Sequence, residues 1–253
     1  MRRHDFIMVI AGAVAAWQLA AAGGLDGAAR AASAVTASRA VMVYNSLGAC
    51  NGVVLAQDLV LTAAHCIVGE VNLKIVGSVD DRLYALADVA AAEPHPRYAA
   101  AAASMDAAKV PLTVPDIALL KLSKPLRMAF GPALLATRRI AAGDRMEVVG
   151  RLVSRSGRET STESAGMAVF AVTRVEDHML VLADRPSYGE ASRLGGCHGF
   201  SGAPVFAIRA GVPQLAGIMR GGDCGRVLVV TPIAPFRDWI AETAKRLGSS
   251  YAP

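Results

Sequence analysis

The chain has 253 residues, 53% of them hydrophobic and 19% charged, with 26 Lys and Arg against 21 Asp and Glu and a formal net charge of +5. Roughly 220 residues remain beyond an N-terminal leader, room for one large all-β domain or two small barrels. The excess positive charge is dispersed, with no run of Lys or Arg and no aromatic interleaving, which argues against a nucleic-acid partner.

In chain order, Met1-Arg2-Arg3 precedes an apolar run from Phe6 to Ala22 and then Gly23-Gly24, the layout of an export signal. Residues 1–34 are therefore set aside as signal peptide and leader. Ala20-Ala21-Ala22 and Ala32-Ser33-Ala34 both fit small-x-small cleavage, so the mature start stays open between them. An uncleaved anchor is the competing reading, disfavoured because the run is near the minimum spanning length and rich in Ala rather than Leu. Arg2-Arg3 with Phe6 approaches a twin-arginine signal, but Phe6 lies one residue too far on. No later segment is apolar and long enough to span a bilayer. The expectation is a secreted or periplasmic monomer with no membrane contact in its mature form.

Beyond the leader, short runs rich in Val, Ile and Leu recur between turn-forming residues, at 41–44, 52–55, 59–62, 73–76, 117–122, 146–149, 167–172, 179–183, 204–208, 215–219 and 227–231. That spacing predicts an all-β barrel or sandwich. Residues 98–109 are Ala-rich and read as a surface loop or one helical turn. Lys124-Pro125 and Gly131-Pro132 place a boundary between 123 and 143. Helical periodicity occurs once, at 235–247. There Phe236, Trp239, Ile240, Thr243, Ala244 and Leu247 fall on one face of an amphipathic helix.

Three strings carry chemistry: Thr62-Ala63-Ala64-His65-Cys66, Asp116-Ile117-Ala118-Leu119-Leu120 and Gly199-Phe200-Ser201-Gly202-Ala203-Pro204. A serine hydroxyl is too weak an acid to attack a carbonyl unaided. It needs a base at hydrogen-bond distance and a third group holding that base in the right tautomer. Asp116 opens an apolar run, so its carboxylate is expected to be buried, and a buried carboxylate needs a partner. Glycines flanking Ser201 allow a tight turn that projects the hydroxyl and aims backbone N–H groups into a cleft. The four cysteines, Cys50, Cys66, Cys197 and Cys224, flank these strings. In an exported chain an even count suggests disulfides, with three connectivities possible. Zinc is the rival reading, and no pair has the short spacing of a ligand knuckle.

In the order His, Asp, Ser, these strings resemble the trypsin-like (chymotrypsin-fold) serine endopeptidases, and the resemblance runs from about Ala40 to the C-terminus. It implies two six-stranded antiparallel β-barrels with the active site in the cleft between them and a C-terminal helix. The peptidase domain would be 35–253, the first barrel about 38–125, the second about 140–234 and the helix 235–247. It implies His65 as general base and acid, Asp116 as its orienter, Ser201 as nucleophile, and the N–H groups of Gly199 and Ser201 as oxyanion hole. It also selects the pairings Cys50 with Cys66 and Cys197 with Cys224. Peptide or protein would be the substrate, with no cofactor and no metal. Asp238-Trp239-Ile240 and His95-Pro96-Arg97-Tyr98 are further points of likeness, the latter making His95 a structural residue. His178 and His198 read as surface residues.

Alignment with the family's motifs implies a pocket floor at Gly195 and Gly196 and walls at Gly221, Gly222 and near Leu228. With no carboxylate at the floor, cleavage after small or medium apolar residues is expected. Asp223 would restore a preference for basic residues if the register shifted. Two positions depart from the family. Most relatives carry Asp where this chain has Phe200, and there it pairs with a new amino terminus of an Ile-Val-Gly-Gly-like start, absent here upstream of Cys50. Phe200 is expected to pack into the second barrel instead. Arg220-Gly221-Gly222 stands where relatives have Ser-Trp-Gly, and Arg220 either approaches Asp116 or points to solvent. A catalytically silent binding protein and an esterase with the same three residues are the alternative functions.

Overall fold

The computed structural model describes residues 35–46, 48–79, 82–127, 129–156, 160–183, 199–222 and 227–253. Six strands, β1 (Ala40–Asn45), β2 (Gly48–Ala56), β3 (Leu59–Thr62), β4 (Lys74–Val79), β5 (Arg82–Pro94) and β6 (Ala118–Leu122), close an antiparallel barrel in the order β1-β2-β3-β6-β5-β4. Between β5 and β6 lies a short helix, α1 (Pro96–Ala102). The connection to the second half carries β7 (Leu134–Leu135).

The second half contains β8 (Arg145–Ser156), β9 (Thr160–Glu176), β10 (Met179–Ala183), β11 (Pro204–Arg209), β12 (Val212–Gly222) and β13 (Val227–Pro232). They run β11-β8-β9-β10-β13-β12, and pairing of β11 with β12 closes a second six-stranded antiparallel barrel. β7 adds a parallel edge to β12. The β11–β12 hairpin turns through Ala210 (φ 48°) and Gly211 (φ 78°), both left-handed as a two-residue type I′ loop requires.

Strand side chains alternate between faces, and three apolar cores result. In β3, Val60 faces the first barrel's interior with Val43, Ile75 and Leu120, while Leu59 and Leu61 face a second core between the barrels. β6 repeats the pattern, with Leu120 and Leu122 inward and Leu119 outward. The outward set meets Val149, Phe206, Leu215 and Ile218 from the second barrel and Phe236, Ile240 and Ala244 from the C-terminal segment. Met146, Val148, Phe170, Leu180, Val205 and Val230 form the second interior. Burial on both faces explains why β3, and β6 up to Lys121, read as near-continuous apolar runs rather than alternating ones.

A 3₁₀ turn (Ala234–Phe236) leads into α2 (Arg237–Arg246), which buries Ile240, Thr243 and Ala244 and carries Asp238 in its first turn and Lys245 and Arg246 in its last. Both charge placements complement the helix dipole. Residues 98–109 are more ordered than a surface loop. His95 caps α1 and Pro96 starts it, and Tyr98 is wholly buried in the first barrel's apolar cluster, its hydroxyl donating to the Ala107 carbonyl at 3.0 Å.

Candidate active site

β3 and β6 are neighbours, with Thr62 opposite Ala118. His65 lies three residues after Thr62 and Asp116 two before Ala118, so both leave the same end of the first barrel. A 3₁₀ turn over Ala64–Cys66 directs His65, and Cys66 is bridged to Cys50 of β2. His65 Nδ1 lies 2.6 Å from Asp116 Oδ2, and the His65 backbone N–H donates to Asp116 Oδ1 at 2.9 Å. Asp116 is 1% exposed and His65 27%, so the carboxylate is shut away while the imidazole reaches solvent. A carboxylate facing Nδ1 holds the proton there. That leaves Nε2 as the ring's acceptor.

The nucleophile candidate sits on an irregular turn. Gly199 (φ 98°) and Gly202 (φ 79°) hold left-handed backbone that other residues rarely adopt. Ala203 N–H donates to the Phe200 carbonyl at 2.9 Å and Gly202 N–H to Met219 of β12 at 2.7 Å. Asn51 N–H, in β2, donates to the Ser201 carbonyl at 2.6 Å, joining this turn to the first barrel beside Thr62. A β-carbon added to Gly202 would lie 2.1 Å from the Asn51 carbonyl oxygen and 2.5 Å from Thr62 Oγ1. The turn is therefore pressed against the strand ends that lead into His65.

Phe200 is fully buried in the second barrel's core, its ring lying over Gly150 so closely that a β-carbon there would sit 2.0 Å from Cε1. Arg220 approaches Asp116. Its Nε is 3.6 Å from Oδ2, and its two Nη atoms donate to the carbonyls of Val110, Pro111, Leu112 and Val114 at 2.7–3.3 Å. It is 11% exposed and ties the segment ahead of Asp116 to β12. Thr231 Oγ1 of β13 donates to the Asp116 carbonyl at 3.3 Å. Burial first, and the Asp116 charge next, push the Tyr98 phenol well above its ordinary range.

Gly221 and Gly222 end β12, and Leu228 lies opposite Gly222 in β13, wholly buried in the second core. Gly195, Gly196, Cys197, His198, Asp223 and Cys224 lie outside the described residues, as does the leader 1–34. His95 stacks against Phe236 and Trp239 with ring centroids 5.4 and 5.1 Å apart, and burial, then Arg97, lower its pKa. Its role in the described structure is to join α1 to the C-terminal segment. His178 stands 3.9 Å from Glu176. The donor atoms of Cys50, His65 and Cys66 lie within 4.8 Å of one another, but bridged cysteines present no thiolate for a metal. Sequence reasoning missed Asn51. Its one signal is a polar residue inside the apolar β2 run, directly after a cysteine.

The profile of the trypsin family matches residues 29–240. The chain is 25% identical over 235 residues to the vitellin-degrading protease of Bombyx mori, an alignment covering 81% of this chain and 80% of that protein. It is also 25% identical over 221 residues to a trypsin of Sarcophaga bullata, covering 78% and 80%. Two six-stranded barrels with a C-terminal helix, matched to that profile over most of their length, make this chain a member of the trypsin family.

Proposed function

We propose that the protein is an exported serine endopeptidase that cleaves peptide bonds through an acyl-enzyme on Ser201. The observation that carries this reading is the 2.6 Å contact between His65 Nδ1 and the buried Asp116 carboxylate, at the barrel end against which the Ser201 turn packs. Membership of a peptidase family supports the substrate class. His65 Nε2 takes the Ser201 proton as Oγ attacks the substrate carbonyl. The oxyanion forms against the N–H groups of Gly199 and Ser201. The same proton then passes to the leaving amine as the C–N bond breaks. Water, deprotonated by His65, attacks the ester, and the proton returns to Ser201 as the acid product leaves.

Gly195 and Gly196 are proposed as the pocket floor and Gly221, Gly222 and Leu228 as its walls. An apolar, uncharged pocket favours small or medium apolar residues before the scissile bond. Paired Cys197 and Cys224, a cleaved leader within 1–34 and a secreted or periplasmic monomer complete the proposal. Among the described residues no helix is long and apolar enough to cross a membrane. A silent binding protein is the second reading, favoured by Arg220 beside Asp116 and by Phe200 where relatives carry Asp.

Labelling with a fluorophosphonate probe separates the two readings. Wild type should label and Ser201→Ala should not. No labelling of folded wild type selects the binder, and labelling with hydrolysis of esters but not of matched peptides selects an esterase.

A further inference from the structure

We propose that Asn51 is a positioning residue that holds the Ser201 turn in its reactive shape, an inference that rests on the serine-peptidase reading above. Asn51 is fully buried at the junction of β2, β8 and the turn. Its Nδ2 donates to the Gly199 carbonyl at 2.5 Å and to the Arg151 carbonyl at 3.0 Å, while its Oδ1 accepts from the Arg151 N–H at 2.7 Å. The amide orientation is forced. A flipped amide would set Oδ1 against two carbonyls and Nδ2 against an N–H. Its backbone N–H donates to the Ser201 carbonyl at 2.6 Å, and its own carbonyl accepts from Thr62 Oγ1 at 2.6 Å.

Three successive peptide carbonyls of the turn are thereby fixed: Gly199 by the Asn51 side chain, Phe200 by Ala203 N–H and Ser201 by the Asn51 backbone. Two of the three locks come from one residue of the opposite barrel. The turn contains two left-handed glycines and belongs to no strand, so its peptide planes have little intrinsic preference. The Ser201 N–H lies between the first and third locked planes. Phe200, buried over Gly150, offers no charge by which an ion pair could set the same geometry. Asn51 also pairs with the N–H and C=O of Arg151, so the lock moves with β8 and keeps the barrels in register at this point.

The test compares wild type with Asn51→Asp, which keeps shape and the Arg151 N–H bond but loses both donors, and with Asn51→Ser, whose side chain is too short to span to Gly199. Readouts are kcat and KM on a peptide substrate, inhibition by a peptidyl boronic acid that forms a tetrahedral adduct on Ser201, and the thermal midpoint. Expected is a fall in kcat on the order of 10² with KM within about threefold, matched by an equal loss of boronate affinity. Either variant that folds serves if the other does not. A folded variant with wild-type kcat and boronate affinity, or with its whole loss in KM, overturns the role of Asn51 alone. Wild type inert to fluorophosphonate overturns the peptidase reading and this inference together.

Discussion

The two barrels hold their candidate catalytic groups by different means. The first holds His65 and Asp116 just beyond the same end of one strand ladder, where β3 and β6 are hydrogen-bonded neighbours and a disulfide anchors the residue after the histidine. The second offers Ser201 on a turn outside any strand, bonded to Met219 of its own barrel and across to the first barrel at Asn51. The histidine–carboxylate pair is thus a property of one barrel, whereas the serine's place is a property of the interface. Damage within the first barrel and damage at the interface should therefore have separable signatures.

The largest effect tests the first barrel's pair. His65→Ala and Asp116→Asn should each lower kcat by about 10⁴-fold or more, and adding either to Ser201→Ala should cost almost nothing further, because in the proposed mechanism the three act as a unit. Additive losses in a steady-state assay would show that the pair does not serve the serine.

Next comes the interface. Gly202→Ala drives a β-carbon into the Asn51 carbonyl and Thr62, and should lower activity on the order of 10²-fold with a stability loss of about 1–3 kcal/mol. Gly211→Ala is the control, because its φ of +78° is equally unfavourable but nothing lies within 4 Å of the added carbon. It should lose comparable backbone energy while retaining activity. Equal activity in the two variants would mean that close packing of the turn on the first barrel does not matter.

Replacing Cys50 and Cys66 together by Ala removes a bridge across 16 residues. Denaturant unfolding should show a loss of about 3 kcal/mol, and kcat should fall only about tenfold, because the strand ladder still aims His65. A loss of activity as deep as that of His65→Ala would mean that the bridge, rather than the ladder, positions the base.

The smallest effect lies away from the cleft. Burial raises the Asp58 carboxyl, but hydrogen bonds from Lys121, Ser249 and Ser250 outweigh it and bring the pKa down to about 2. Because the folded value is below the ordinary one, this stabilisation is present above about pH 4 and disappears as pH falls towards 2. Asp58→Asn should flatten the acid limb of the stability curve while activity at neutral pH stays unchanged. An unaltered acid limb would show that Asp58 does not tie the C-terminal segment to the β2–β3 turn.

Much of the fold was legible because local patterns encode it. The apolar runs marked eleven of the β-strands, and the spacing from Phe236 to Leu247 marked α2. β5 escaped notice because its sequence is rich in Ala and interrupted by charge, so its strand character comes from pairing with β4 and β6. The full length of β9 was also hidden, since its first residues, from Thr160, are polar and take their strand form from the hairpin with β8.

From the sequence alone came the order of His65, Asp116 and Ser201, the glycines around the serine and the apolar character of position 200, because residue identity sets local chemistry and backbone freedom. Only the tertiary structure decided that His65 meets Asp116 across 51 residues, that Arg220 turns to Asp116 rather than to solvent, and that Asn51 rather than a charge grips the Ser201 turn. Each of these depends on strand register and on how the two barrels pack. Register and packing are settled by contacts between distant segments, and no short stretch of sequence contains both partners.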